Sequence, residues 1–230
     1  MKQHIPNMIT CGNVLCGCVG IVAASQGKLT EAVYFILAGM VFDFADGLAA
    51  RLLRAYSDIG KQLDSLADMV TFGVLPGMVL FQLLAQNEPK WAAYGGFLLT
   101  VFSALRLAKF NIDTRQTDSF IGLPTPSAAL FVGSLPLIIH QQPAYKTFIE
   151  QPVTLFAITI SLSFLLVAEL PLFSLKFKNF GWTDNKIRYT FMFLSVLLFV
   201  LFKFLAIPFI LLMYVLLSFL SSVTKAKEKA

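Results

Sequence analysis

The stretch Glu31-Ala-Val-Tyr-Phe-Ile-Leu-Ala-Gly-Met-Val-Phe-Asp43-Phe-Ala-Asp46-Gly47-Leu-Ala-Ala50-Arg51-Leu-Leu53 is long and apolar enough to cross a bilayer as one helix, yet its second half carries two aspartates. It is followed by Gly60-Lys-Gln-Leu-Asp64-Ser-Leu-Ala-Asp68, which opens a second apolar run with two more. A carboxylate placed in a membrane helix costs roughly 2.5–3.5 kcal/mol, so four in 26 residues mark a functional site before anything else is known.

The rest of the chain has the same character. Of 230 residues, 57% are hydrophobic and 13% charged, and phenylalanine alone contributes 23, a balance that suits helices facing lipid better than a water-soluble core. Apolar runs near residues 8–25, 31–53, 65–86, 91–110, 124–141 and 151–170 are expected to span the bilayer. The block from Ile187 to Val223 is too long for one span, and Lys203 and Pro208 near its middle favour a turn there. The expectation is an all-α integral membrane protein, a single domain over residues 1–230 made of a bundle of about eight transmembrane helices.

Charge distribution orients that bundle. With the N-terminus cytoplasmic, fourteen of the eighteen Lys and Arg residues fall on the cytoplasmic side, leaving Lys28, Lys90, Lys146 and Lys203 outside. Both termini and the aspartate-bearing hairpin are then cytoplasmic, in the cell membrane. The first apolar stretch carries Asn7, Thr10 and Asn13 and lacks a signal-peptide cleavage pattern, so it is expected to be the first membrane helix. Cys11, Cys16 and Cys18 all fall within it and are expected to be reduced packing residues. The net charge of +5 is scattered over short loops and a lysine-rich tail, which suits topology and anionic headgroups and argues against nucleic acid.

Asp43 and Asp46 are three apart and Asp64 and Asp68 four apart, so each pair shares one helix face. A loop over about residues 54–61 is short enough for an antiparallel hairpin, which brings the four carboxylates together. Such a cluster needs cations to offset its repulsion, and hard divalent ions with oxygen ligands, Mg²⁺ or Mn²⁺, are the natural partners. Two such ions would form a phosphoryl-transfer site. Gly47, Ala49, Ala50, Gly60, Ala67 and Gly73 line the same helices and permit either close packing or close approach of a ligand.

The order Asp43, Asp46-Gly47, Ala50-Arg51, Gly60, Asp64, Asp68 resembles, at all eight fixed positions, the D-x2-D-G-x2-A-R-x8-G-x3-D-x3-D signature of the CDP-alcohol phosphotransferase family. The resemblance implies that the four aspartates hold two divalent metals against the diphosphate of a CDP-linked donor, with Asp68 also the base for the acceptor hydroxyl. It implies that Gly47, Ala50 and Gly60 border the nucleotide, and it suggests a homodimer. Arg51 either contacts the donor or ties helices together through a carboxylate. Asn7, Thr10 and Asn13 form a polar strip that either meets the diphosphate or bonds neighbouring helices.

The flanking segments resemble one branch of that family. Ile5-Pro6-Asn7-Met-Ile-Thr10-Cys-Gly-Asn13, Ala104-Leu-Arg106-Leu-Ala-Lys109-Phe110-Asn111 and Phe120-Ile-Gly122-Leu-Pro124-Thr-Pro126 are similar to bacterial and archaeal phosphatidylserine synthases. This resemblance implies CDP-diacylglycerol and L-serine as substrates, with glycerol 3-phosphate or inositol phosphate as alternative acceptors. Arg106 and Lys109 are suited to a serine carboxylate, with Asn111 and Asn13 as further candidate contacts. His4 and His140 are expected at the interface, as is Glu169, for which a contact with the site is the alternative reading. A cation transporter is the competing class, but its broken helices and paired repeats are not evident, and a Walker-type nucleotide loop is absent.

Overall fold

The computed structural model describes residues 4–113, 120–172 and 181–228. Helices α1 (His4–Ser25) and α2 (Leu29–Leu53) form the first antiparallel pair. Next come α3 (Asp58–Leu84), whose Met69–Val74 segment is a π-helix, and α4 (Lys90–Ile112), which begins as a 3₁₀-helix. Strand β1 (Phe120–Ile121) precedes α5 (Thr125–Gln141). A short helix α6 (Pro143–Ile149) meets α7 (Pro152–Val167) at a 75° bend, and strand β2 (Pro171–Leu172) follows. Helices α8 (Trp182–Phe202) and α9 (Ala206–Glu228) close the chain.

Among the described residues, five helical stretches are long and apolar enough to cross a membrane: α1, α2, α3, α4 and the run Asn185–Leu220, with a sixth if the bent pair α6–α7 counts as one. The all-helical membrane architecture is as the sequence implies. The exact count of eight is not confirmed by these stretches; α5, with 17 residues, is at the short end for a span. The run Asn185–Leu220 nevertheless doubles back. Phe191 and Tyr214 have ring centroids 5.6 Å apart, whereas a straight helix would separate them by roughly 35 Å. The reversal is at Lys203, which has φ +51° and opens a 3₁₀ turn, Lys203–Leu205. Pro208 lies inside α9 rather than in the turn, at its third position, where a missing N–H costs nothing.

Large apolar side chains such as Val41, Phe44, Leu52, Phe164 and Val200 are exposed, as helices in lipid require. The interior is built from Ile36, Phe72, Leu75, Val79, Leu80, Leu99 and Leu155, drawn from α2, α3, α4 and α7. Lys2, Arg115, Lys176, Lys178 and Lys229, counted above among the cytoplasmic charges, lie outside the described residues.

Three helices lock together just beneath the aspartates. Thr71, in the π-segment, donates from Oγ1 to the Asn13 carbonyl at 2.9 Å. Its side chain is wedged between Gly17 of α1 and Gly39 of α2, where a Cβ on either glycine would collide with it. On the other side of the π-segment, Thr100 of α4 donates to the Gly73 carbonyl at 2.9 Å. The small residues thus let α1, α2 and α3 approach closely, and side-chain hydroxyls fasten the join.

A second fastening sits at the same end. Ile121 pairs antiparallel with Pro171 and Phe120 with Leu172, while Leu123 donates to the Leu165 carbonyl at 2.8 Å. Gly122 makes the bend between them with φ +78°, and an added Cβ would meet the Leu166 carbonyl oxygen at 2.7 Å.

Gly39→Val should overpack the α1–α2–α3 contact at a cost of about 1–3 kcal/mol, lowering the melting temperature in detergent by roughly 2–4 °C per kcal/mol. An unchanged melting temperature would show that Thr71 is not held as described.

Candidate active site

The aspartates converge because the chain reverses within four residues. α2 ends at Leu53, and Arg54 takes a left-handed conformation, φ +49°, with its N–H reaching the carbonyls of Ala50 and Arg51. Ser57 then caps α3, its Oγ accepting from the Gly60 N–H at 3.0 Å. The loop is therefore 54–57, shorter than the 54–61 read from sequence, and α3 starts at Asp58.

Across this hairpin Asp43, Asp64 and Asp68 each offer a carboxylate oxygen within 4.8 Å of the others, a grouping that can hold a metal ion. Asp46 is one turn along α2 from Asp43 and is only 6% exposed. Asp46 Oδ2 and Asp68 Oδ1 are buried with no protein hydrogen-bond partner. Buried carboxylate oxygens without donors are costly unless a cation takes them, so these side chains fit a hard divalent ion.

A cavity of about 310 Å³ adjoins the cluster. Asp46 and Asp64 form its boundary with the carboxylates, and Asn7, Thr10, Gly47, Ala50, Arg51 and Gly60 line its walls. The sequence-predicted donor contacts are thus brought to one place. Gly47 faces open space, its nearest neighbour for an added Cβ being Arg51 at 3.8 Å. Ala67, in contrast, is fully buried, and Gly73 packs on Met69 and Ser103. Gly47 therefore leaves open space at the cavity wall, while Ala67 and Gly73 serve packing. Arg51 donates from Nε to the Gly47 carbonyl at 3.0 Å along its own helix. Thr10 donates to the Pro6 carbonyl at 3.0 Å, closing the first turns of α1 beside the cavity.

A model of the CDP-alcohol phosphatidyltransferase family matches residues 3–200. The chain belongs to that family. Among curated proteins it is 38% identical over 168 residues to the CDP-diacylglycerol–serine O-phosphatidyltransferase of Bacillus subtilis, covering 73% of this chain and 89% of the relative. The protein of that name from Helicobacter pylori is 37% identical over 129 residues, 55% of this chain and 54% of the relative. The one from Saccharomyces cerevisiae is 36% identical over 145 residues, 56% of this chain and 52% of its own length.

This family member also has a second, smaller cleft at the end of α4. Arg106 is 8% exposed, lies within electrostatic reach of Asp68, and contacts Thr125 Oγ1 at 3.4 Å and the Phe110 ring at 5.0 Å. With Lys109, Asp113, Ile121, Leu166, Val167 and Glu169 it lines the cleft.

The remaining predicted acceptor residues are elsewhere. Asn111 exchanges hydrogen bonds with Ser65, at 3.0 and 3.2 Å, and its carbonyl accepts from Lys61 Nζ at 3.0 Å, so it fastens α4 to α3. Asn13 is fully buried beside Gly39 and Thr71 and lines neither cavity; both its amide atoms lack protein partners.

Tyr56, Ser57 and Lys61 also line the larger cavity but were not singled out from sequence. Their signal was positional: Tyr56 and Ser57 fill the gap between the fixed Arg51 and Gly60, and Lys61 follows Gly60 directly.

If the cluster is a cation site, Asp64→Asn and Asp68→Asn should each weaken Mn²⁺ binding by at least roughly tenfold, read by electron paramagnetic resonance of free Mn²⁺. Binding equal to that of the unmodified protein in both variants would remove the metal from this site.

Proposed function

We propose that the protein transfers the phosphatidyl group of CDP-diacylglycerol to the hydroxyl of L-serine, giving phosphatidylserine and CMP. The observation that carries the reading is the cavity lined by Asp46 and Asp64, the latter one of three converging carboxylates, in a chain whose relatives are named for this reaction.

In this reading residues 1–230 act as one catalytic domain, with the motif over 43–68 at its centre. Asp43, Asp46, Asp64 and Asp68 hold two divalent ions, Mg²⁺ or Mn²⁺, which when bound would neutralise the donor diphosphate and the charge leaving with CMP. Gly47, Ala50 and Gly60 give the nucleotide access to the backbone, and Asn7, Thr10 and Arg51 offer polar contacts around it. Exposed Tyr56 offers a ring face to the base. The acyl chains stay in the bilayer.

Serine enters through the smaller cleft, whose Arg106 lies within electrostatic reach of Asp68. Arg106 and Lys109 receive its carboxylate, with Arg106 fixed by Thr125 and Phe110. Asp68 Oδ1, which has no protein partner, accepts the hydroxyl proton as the serine oxygen bonds to the phosphorus carrying the diacylglycerol. The bond from that phosphorus to the bridging oxygen breaks, and CMP leaves with the electron pair.

Placing the site on the cytoplasmic face of the cell membrane follows from the charge distribution. It is supported by the far end of the bundle, where the Gln82 side chain bonds the Ser25 carbonyl and Asn87 that of Glu150, bringing the turns that carry Lys28, Lys90 and Lys146 together. Assembly as a homodimer completes the proposal.

Purified protein in detergent with CDP-diacylglycerol and Mg²⁺ or Mn²⁺ should release CMP when L-serine is added. Stimulation by glycerol 3-phosphate or inositol phosphate instead would overturn the choice of acceptor. Arg106→Ala should raise the serine KM by roughly tenfold or more with little change in the KM for CDP-diacylglycerol. An equal rise in both would assign Arg106 to the scaffold or the diphosphate.

A further inference from the structure

The smaller cleft carries charges of both signs, and its anionic half has no part in the chemistry above. Arg106, Lys109 and Asp113 come from the end of α4, whereas Glu169 comes from the turn after α7. Glu169 is far from α4 in sequence, and the β1–β2 pairing is what brings it there. Gly122 donates to the Leu170 carbonyl at 3.0 Å, Leu123 to that of Leu165, and Ile121 pairs with Pro171, so the residues on both sides of Glu169 are tied to the segment entering α5. The same segment supplies Thr125, the contact of Arg106.

We infer that Glu169 receives the ammonium group of the acceptor, so that the cleft reads a zwitterionic amino acid with a cationic wall for the carboxylate and an anionic wall for the amine. The inference rests on serine being the acceptor and adds the residue that selects it. An acceptor with only a carboxylate, or with a phosphate dianion, would meet Arg106 and Lys109 equally well but would face Glu169 as a like charge. Asp113, on the α4 wall one turn beyond Lys109, is the other acidic group lining the cleft. Glu169 is exposed at the mouth, where a water-soluble substrate arrives, while Arg106 is buried at the base. Glu169 and Asp113 also contact other groups of the chain, so recognition has to be separated from scaffolding.

The separating measurement compares L-serine with 3-hydroxypropionate, which is serine without its ammonium group. With full-length protein, the KM for serine and the inhibition constant of 3-hydroxypropionate against serine would be measured for the unmodified chain, Glu169→Gln and Glu169→Asp. In Glu169→Gln the serine KM should rise roughly tenfold, and 3-hydroxypropionate should bind as well or better, so that the ratio of the two constants falls at least tenfold. The KM for CDP-diacylglycerol should be unchanged, and Glu169→Asp should retain part of the preference. A parallel weakening of both ligands, or an unchanged ratio, would overturn the assignment while leaving serine as the acceptor. Failure of serine to stimulate CMP release in the unmodified chain would instead remove the reading on which the assignment depends.

Discussion

Close contact among α1, α2 and α3 at Thr71 is the constraint on which the site depends. Carboxylates on two neighbouring helices repel each other, and the hairpin that carries them would splay without something holding its lower turns together. Thr71 supplies that hold, bonded to the Asn13 carbonyl and fitted between Gly17 and Gly39. It stands one turn below Asp68, so the join is made where it most directly opposes the repulsion. The π-segment that contains Thr71, Met69–Val74, departs from regular helix geometry at the point where α3 passes from the aspartates to membrane packing.

From that join the two halves of the reaction separate in space. The cavity proposed for the donor lies on the α1–α2 side, bounded by Gly47, Ala50 and Gly60, while the cleft proposed for the acceptor lies on the α4–α7 side, bounded by Arg106 and Glu169. Asp64 lines the first, and Asp68 lies within electrostatic reach of Arg106 in the second. In the proposed reaction the two substrates approach from these two sides, one anchored in lipid and one from water, an arrangement that suits a direct displacement.

Much of this was legible in the sequence because membrane helices leave few alternatives. The three- and four-residue spacing of the aspartates placed them on helix faces, and the short loop forced the faces together; Asn7, Thr10, Gly47, Ala50, Arg51 and Gly60 all line the cavity expected for them. The acceptor side was harder. Asn111 follows Arg106 and Lys109 closely in sequence, yet its side chain turns to Ser65, a pairing that no local pattern announces. Glu169 reaches the cleft only through the pairing of two-residue strands, too short to leave a periodic signal. Asn13 shares a helical strip with Thr10, but the drift of 3.6 residues per turn and the closeness of Gly39 bury it. The last run, Asn185–Leu220, is continuous in hydropathy, yet its length and Lys203 announced the turn that the backbone makes there.

The central claim is that a cation held by the hairpin aspartates touches the diphosphate of the lipid donor. It is tested most directly by electron–nuclear double resonance on Mn²⁺-loaded protein in detergent, with and without CDP-diacylglycerol. A phosphorus-31 coupling that appears with the donor and disappears in Asp64→Asn is the expected result. Bound Mn²⁺ that shows no phosphorus coupling at saturating donor, or a coupling that survives Asp64→Asn unaltered, would contradict it.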